Sequence, residues 1–146
     1  MELVRPTLES ICELDQSCFA DPYPLTTWRS YLDQPHRFQL FAFKSDGESV
    51  GYACFSVILP EAELLRIGIV QTKRGQGVAR SALLYAQREL HLMGVSRILL
   101  EVRESNLAAR KLYQRLGYIE DGERPHYYPA EGNKPAEAAL LMSLSL

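Results

Sequence analysis

The chain is poor in the residues that build metal centres and disulfide frameworks. Its 146 residues include only three cysteines and three histidines. The cysteines show no CxxC spacing, and no histidine has a second one at a neighbouring ligand position. These absences argue against a structural zinc site, a catalytic metal and a disulfide framework. We therefore predict no metal and interpret Cys12, Cys18 and Cys54 as packing residues.

Long apolar runs and an excess of positive charge are also missing. No stretch approaches the roughly 18 consecutive apolar residues that a membrane span needs. Charged residues interrupt the N-terminal segment, which argues against a secretory signal. The net charge is −2, so nothing favours a nucleic-acid partner. We expect a cytoplasmic protein, a monomer or weak dimer, with no membrane or nucleic-acid partner.

Length and periodicity predict one mixed α/β domain over residues 1–146, because the chain is long enough for one core and too short for two. Residues 118–128 are predicted as a loop, and the apolar end 140–146 is expected to pair either within the chain or with a partner. The patterns predict strands at 2–5, 38–44, 49–59, 61–70, 95–103 and 136–146, and helices after Thr7, after Thr26 or Thr27, after Gly77 and over 107–116.

The strand predicted at 61–70 and the helix that follows it form the centre of the chain. Alternation places Leu65, Ile67 and Ile69 on one face of that strand and Leu64, Arg66 and Val70 on the other. A strand, helix, strand unit of this length is expected to be parallel and right-handed.

A short basic stretch with two glycines joins this strand to its helix, and it reads Arg74-Gly75-Gln76-Gly77-Val78-Ala79. A helix start leaves backbone N–H groups unpaired at its positive end, and glycines allow a phosphate to approach them. Arg74 and Arg80 add positive charge. The hexapeptide alone is equally compatible with a tight turn that carries two solvent-facing arginines.

In this position the stretch resembles the acetyl-CoA signature of the GNAT N-acetyltransferases, [Gln/Arg]-x-x-Gly-x-[Gly/Ala]. The resemblance implies a GNAT fold, with a mixed sheet of six to seven strands flanked by about four helices, and acetyl-CoA as cosubstrate. It also implies that Ile67-Gly68-Ile69 pairs with the pantetheine arm. The pyrophosphate would be held by the loop and the start of its helix, at Arg74, Gly75, Gln76, Gly77, Val78, Ala79 and Arg80.

A narrower resemblance, from about residue 61 to the C-terminus, is to the RimI-type subgroup, the ribosomal-protein alanine acetyltransferases. It rests on Ala62-Glu63-Leu64-Leu65, Leu100-Glu101-Val102-Arg103, Ser105-Asn106, Ala108-Ala109, Leu112-Tyr113, Gly117-Tyr118, and Arg124 with Tyr127-Tyr128. The subgroup implies Glu101 as base, Tyr113 as acid and Asn106 as a CoA contact. The acceptor would be a protein or peptide N-terminus, namely the N-terminal alanine α-amine of a small-subunit ribosomal protein or a similar protein end. The acetyl group would be transferred directly, in a ternary complex. The chain departs from the usual pattern at Val70-Gln71, Ala79 and Ala138.

These residue types suit acetyl transfer from a thioester to an amine. A protonated α-amine must lose a proton to a base such as Glu101, and the leaving thiolate must gain one from an acid such as Tyr113. A backbone N–H near Gly68 is the natural oxyanion donor, because glycine permits close approach. The alternatives are a glutamate paired with Arg103 or Arg66, and a tyrosine that only packs.

The acceptor side is less defined. Tyr127, Tyr128 and Trp28 are candidates to wall a slot for a peptide N-terminus, although we favour core packing for Trp28. Glu61 or Glu63 is a candidate to attract the ammonium. Two alternative functions stay open: acetylation of a small amine, and a non-catalytic module that binds acyl-CoA.

Overall fold

The computed structural model describes residues 1–146, with seven strands in one sheet and four α-helices around it, as the resemblance implied. The strands lie in the order β1-β2-β3-β4-β5-β7-β6. None of the helices has the length and apolar character of a membrane span. The elements are β1 Glu2–Val4, α1 Leu8–Cys18, α2 Leu25–Leu32, β2 Phe38–Ser45, β3 Glu48–Ile58, β4 Glu61–Ile69, a 3₁₀ turn at Gln71–Lys73, α3 Val78–Leu92, β5 Arg97–Arg103, α4 Leu107–Arg115, β6 Ile119–Tyr128 and β7 Glu137–Ser145.

The first half of the sheet is antiparallel and the β4–β5 pair is parallel, as the pattern predicted. The β2–β3 hairpin turns at Asp46 and Gly47, whose φ angles are 52° and 81°. Both angles are positive, which is the backbone that a two-residue hairpin turn requires. The turn therefore sets the register of β3 against β2.

Two apolar clusters cover the two faces of the sheet. The larger one packs α3 and α4 against β2 to β5 and β7, and the smaller one packs α1 and α2 against β2 and β3. Trp28 lies in the smaller cluster and is fully buried. The interpretation of Trp28 as a core residue is confirmed, so it cannot line an acceptor slot.

Three expectations about single elements change. Residues 119–128 form strand β6 rather than a loop; this strand is exposed almost throughout, so it shows no buried-face alternation. Helix α2 begins at Leu25 after Pro24, without the predicted threonine cap. The apolar C-terminal segment pairs within the chain, as β7 between β5 and β6.

The predicted alternation along β4 is wrong near its middle, because the strand contains a β-bulge. Cys54 of β3 pairs with Arg66 and Phe55 pairs with Leu64, so Leu65 is the extra residue. Leu64 therefore packs in the larger cluster with Ile67, while Leu65 packs against the smaller one. A bulge locally bends a strand and re-aims its side chains, and this bend lies where β4 leaves its parallel neighbour.

Candidate active site

The central feature of the site is a gap in the sheet between β4 and β5. The two strands pair only from Glu61 with Arg97 to Glu63 with Leu99. Beyond these residues they separate, and a cleft of about 1110 Å³ opens between their carboxyl-terminal halves. The backbone edges of both strands are unpaired there, so an extended amide-containing ligand can hydrogen-bond to them.

The glycine turn closes one end of this cleft. Gly75 and Gly77 have φ angles of 74° and 76°, which is left-handed backbone that favours glycine. The six N–H groups from Gly75 to Arg80 donate to no acceptor within the protein. They lie at the positive end of the 15-residue helix α3. This arrangement fits a diphosphate, which would accept several of these N–H groups at once.

Positive side chains form part of the lining of the cleft. Lys73, Arg80, Lys111 and Arg115 line it, and none of them takes part in an ion pair. In a protein with a net charge of −2, four unpaired cations in one cleft favour an anionic ligand. Lys111 and Arg115 are one helical turn apart on α4, and sequence reasoning had not selected them.

Arg74 lines the cleft but is already engaged by the protein. Its Nε donates to the carbonyl oxygen of Ile69 at 2.9 Å, and one Nη donates to the carbonyl of Cys18 at 3.0 Å. The side chain therefore ties the glycine turn to β4 and to the end of α1. A role in charge stabilisation of a phosphate stays a prediction.

Glu101 lies on β5 and lines the cleft. Its side chain is 22% exposed, and Oε1 lies 3.1 Å from Nη2 of Arg124. The partners considered from sequence are wrong, because Arg103 pairs with Glu137 and Arg66 pairs with Asp15. The carboxylate is thus held at the cleft wall by an arginine from the edge strand.

Tyr113 lies on α4 and reaches the same cleft. It is almost completely buried and packs against Tyr118, with ring centroids 5.6 Å apart. Burial raises the pKa of its hydroxyl to about 12, and the hydroxyl has no hydrogen-bond partner in the protein. Asn106 caps the same helix by accepting the N–H of Ala109 at 3.2 Å. The geometry leaves the Tyr113 proton available to a group in the cleft.

Gly68 lines the cleft with Ile67 and Ile69, but the reason for a glycine differs from the one expected. A Cβ at this position would lie 2.8 Å from a ring atom of Tyr52 and 2.9 Å from the Cβ of Cys18. The missing side chain therefore lets the end of α1 pack onto β4. Donation by a backbone N–H of this segment to an oxyanion stays a prediction.

The candidate acceptor residues separate in the structure. Glu61 and Glu63 lie where β4 and β5 are still paired, and neither lines the cleft. Tyr128 lines it, whereas Tyr127 is 49% exposed beside Arg124. Cys18 also lines the cleft, and burial raises the pKa of its thiol, which leaves little of the nucleophilic thiolate at neutral pH.

Sequence reasoning missed the buried cluster that holds the loop between α1 and α2 against β4. Asp15 is fully buried and accepts the N–H of Tyr23 at 2.6 Å, the indole N–H of Trp28 at 3.1 Å and the Tyr52 hydroxyl. Arg66 pairs with it and stacks on Tyr23. One signal was present: the helical repeat puts Asp15 on the apolar face of α1, where an unpaired carboxylate is costly.

Comparison with known proteins shows the family of the chain. The model of the acetyltransferase (GNAT) family matches residues 8–118, and the chain belongs to this family of acetyl-CoA-dependent acetyltransferases. A relative named [ribosomal protein bS18]-alanine N-acetyltransferase, from Escherichia coli strain K12, is 33% identical over 139 residues, which are 95% of this chain and 91% of that protein. Its counterpart in Haemophilus influenzae is 32% identical over 91% of this chain and 89% of its own.

Solved structures give the same family. The crystal structure of the ribosomal-protein-S18-alanine N-acetyltransferase from Escherichia coli superposes with a TM-score of 0.86 at 31% identity, covering 99% of this chain and 92% of that one. A chain of the NatC complex, bound to Gag peptide and CoA, shares the fold with a TM-score of 0.74 at 22% identity, over 100% and 99% of the two chains. The chain is thus an acetyltransferase similar to enzymes that modify alanine on a ribosomal protein.

Proposed function

We propose that residues 1–146 form a single acetyltransferase domain that moves an acetyl group from acetyl-CoA to the N-terminal alanine α-amine of a small-subunit ribosomal protein. The observation that carries the mechanism is the shared cleft, into which Glu101 and Tyr113 project from different elements beside a turn with six free N–H groups. The acceptor is proposed from the names of the relatives.

Binding rests on the glycine turn and the cations around it. The N–H groups from Gly75 to Arg80 would donate to the diphosphate of acetyl-CoA, and the unpaired cations would attract its charge. The edge of β4 at Ile67 to Ile69 would pair with the amides of the pantetheine arm. Bound there, acetyl-CoA supplies an acetyl thioester to the gap between β4 and β5.

Glu101 and Tyr113 divide the proton transfers. An α-amine has a pKa near 7.7 to 8, so at neutral pH much of it is protonated and Glu101 takes the proton directly or through water. Tyr113 keeps its own proton at neutral pH because its pKa is raised to about 12, and it gives that proton to the leaving sulfur. Transfer is direct, in a ternary complex, because Cys54 is fully buried and Cys18 is largely protonated at neutral pH.

An acceptor screen tests this function. Acetyl-CoA consumption is measured with synthetic peptides that begin with a free alanine, with the same peptides blocked at the N-terminus, and with small amines. Transfer to free alanine peptides alone is the expected result. Transfer to small amines alone would refute the protein acceptor and favour the alternative, a small-amine acetyltransferase that uses the same cleft.

A further inference from the structure

Arg124 reaches the proposed base across the sheet. Its strand β6 is the outer edge, and β7 lies between β6 and β5. In the ladders, both Arg124 and Arg103 face Ala139, whereas Glu101 faces Leu141. The Arg124 side chain therefore crosses β7 diagonally to meet Glu101. The residue it crosses is an alanine, whose single methyl group leaves room for the guanidinium.

The contact uses only one oxygen of the carboxylate. Nη2 of Arg124 lies 3.1 Å from Oε1 of Glu101, and Oε2 has no ion-pair or hydrogen-bond partner in the protein. Glu101 lines the cleft, but Arg124 does not. The arginine thus fixes the carboxylate from outside the cleft and leaves one oxygen available to a proton donor inside it.

Strand β6 becomes irregular directly after Arg124. The β6–β7 register shifts between Arg124 and Tyr128, and His126 has a φ of 55°, a strained angle for a residue other than glycine. This shift places the ring of Tyr127 5.4 Å from the Arg124 guanidinium, within reach of a cation–π contact. No carboxylate other than Glu101 pairs with Arg124.

We propose that Arg124 is a positioning residue that orients the carboxylate of Glu101 for proton transfer from the acceptor amine. This inference rests on the proposed function, in which Glu101 is the base. It extends to this site a general arrangement in which a catalytic base is itself held by a third group. The competing role is a simple brace, in which the ion pair only fastens the edge strand β6 to the sheet.

A double-mutant cycle separates the two roles. Glu101→Gln, Arg124→Gln and the double variant are compared by kcat, by KM for acetyl-CoA and by thermal unfolding. Arg124→Gln is expected to lower kcat on the order of tenfold to a hundredfold, since small misplacements of a catalytic group cost this much, with KM for acetyl-CoA unchanged. In the Glu101→Gln background the same substitution is expected to change kcat by less than about twofold, because residues that act as a unit are not additive.

Two further variants complete the comparison. Arg124→Lys keeps the charge and is expected to recover part of the lost kcat. Arg97→Gln is the matched control, because Arg97 of β5 also forms ion pairs across the sheet, with Glu61 of β4 at 3.3 Å and with Asp121 of β6 at 3.6 Å. These pairs lie at the closed end of the β4–β5 pair. Arg97→Gln is expected to leave kcat unchanged.

The possible failures are distinguishable. A full additional loss of kcat in the double variant, or an equal loss in Arg97→Gln, would overturn the positioning role and leave the proposed function intact. An unchanged kcat in Glu101→Gln would overturn the assignment of the base, and with it the role of Arg124. A loss of kcat that follows only from unfolding at the assay temperature would support the brace instead.

Discussion

Asp15→Asn is the substitution whose cost follows most directly from the structure. The carboxylate is fully buried, and its two oxygens serve different partners. Oδ2 accepts two N–H groups, from Tyr23 and Trp28, while Oδ1 accepts the Tyr52 hydroxyl and pairs with Arg66 at 3.0 Å. An asparagine can keep only one oxygen, so the substitution separates these two sets of partners.

The less costly orientation keeps the asparagine oxygen at the Oδ2 position. The new NH₂ group then faces Tyr52, whose hydroxyl can rotate and accept, and Arg66. Arg66 loses its buried charged partner and keeps only one other, the exposed carboxylate of Asp21, at 3.8 Å. Breaking a buried ion pair by removing one side costs about 3 to 5 kcal/mol. Arg66 keeps the carbonyl of Asp21 at 3.0 Å and the ring of Phe19 at 3.8 Å. Nε of Arg66 lies near Asp15 but outside hydrogen-bond geometry, so the native pair is weaker than an ideal one. We therefore expect the free energy of unfolding to fall by an amount at the lower end of this range, near 3 kcal/mol.

Urea unfolding of wild type, Asp15→Asn, Arg66→Met and the double variant measures this loss, because the cycle isolates the pairwise free energy. Asp33→Asn is the control, since Asp33 is exposed. We expect the double variant to be less destabilised than the sum of the single ones. A loss below about 1 kcal/mol in Asp15→Asn, within the range of a surface pair, or strict additivity, would refute the reasoning.

The remaining predictions concern an acid, a glycine and a cation. Tyr113→Phe is expected to lower kcat on the order of a hundredfold. Because burial raises the pKa of Tyr113 to about 12, the wild-type pH profile of kcat should show no fall from this group below about pH 11. A fall at lower pH that Tyr113→Phe abolishes would contradict the assignment. Gly68→Ala would bring its Cβ to 2.8 Å from a ring atom of Tyr52, and we expect the free energy of unfolding in urea to fall by about 1 to 3 kcal/mol. Gly122→Ala is the control, because a Cβ there would meet no atom within 4 Å. Lys111→Ala should weaken CoA binding about twofold to fivefold at low salt and much less near 1 M salt, as measured by calorimetry against Lys134→Ala; equal effects of the two substitutions would place the CoA charge elsewhere.

Local patterns predicted most of the elements because their causes are local. The hairpin at 46–47, the strand ahead of the glycine turn and the helix after it depend on nearby turn residues and on apolar periodicity. Strand β6 was missed because an exposed edge strand has no buried face, so its sequence shows no alternation of apolar and polar residues. The β4 bulge was missed because one extra residue is invisible to a strict two-residue period.

The sequence by itself determined the family signature at Arg74 to Ala79, the order of the elements other than β6, and the residue types at Glu101 and Tyr113. Only the tertiary structure decided which partner each arginine contacts: Arg124 pairs with Glu101, Arg66 pairs with Asp15, and Arg74 donates to two carbonyl oxygens. These contacts join residues from 5 to 56 positions apart. The longer ones depend on strand order and register, which bring distant segments together and which no short stretch of sequence specifies.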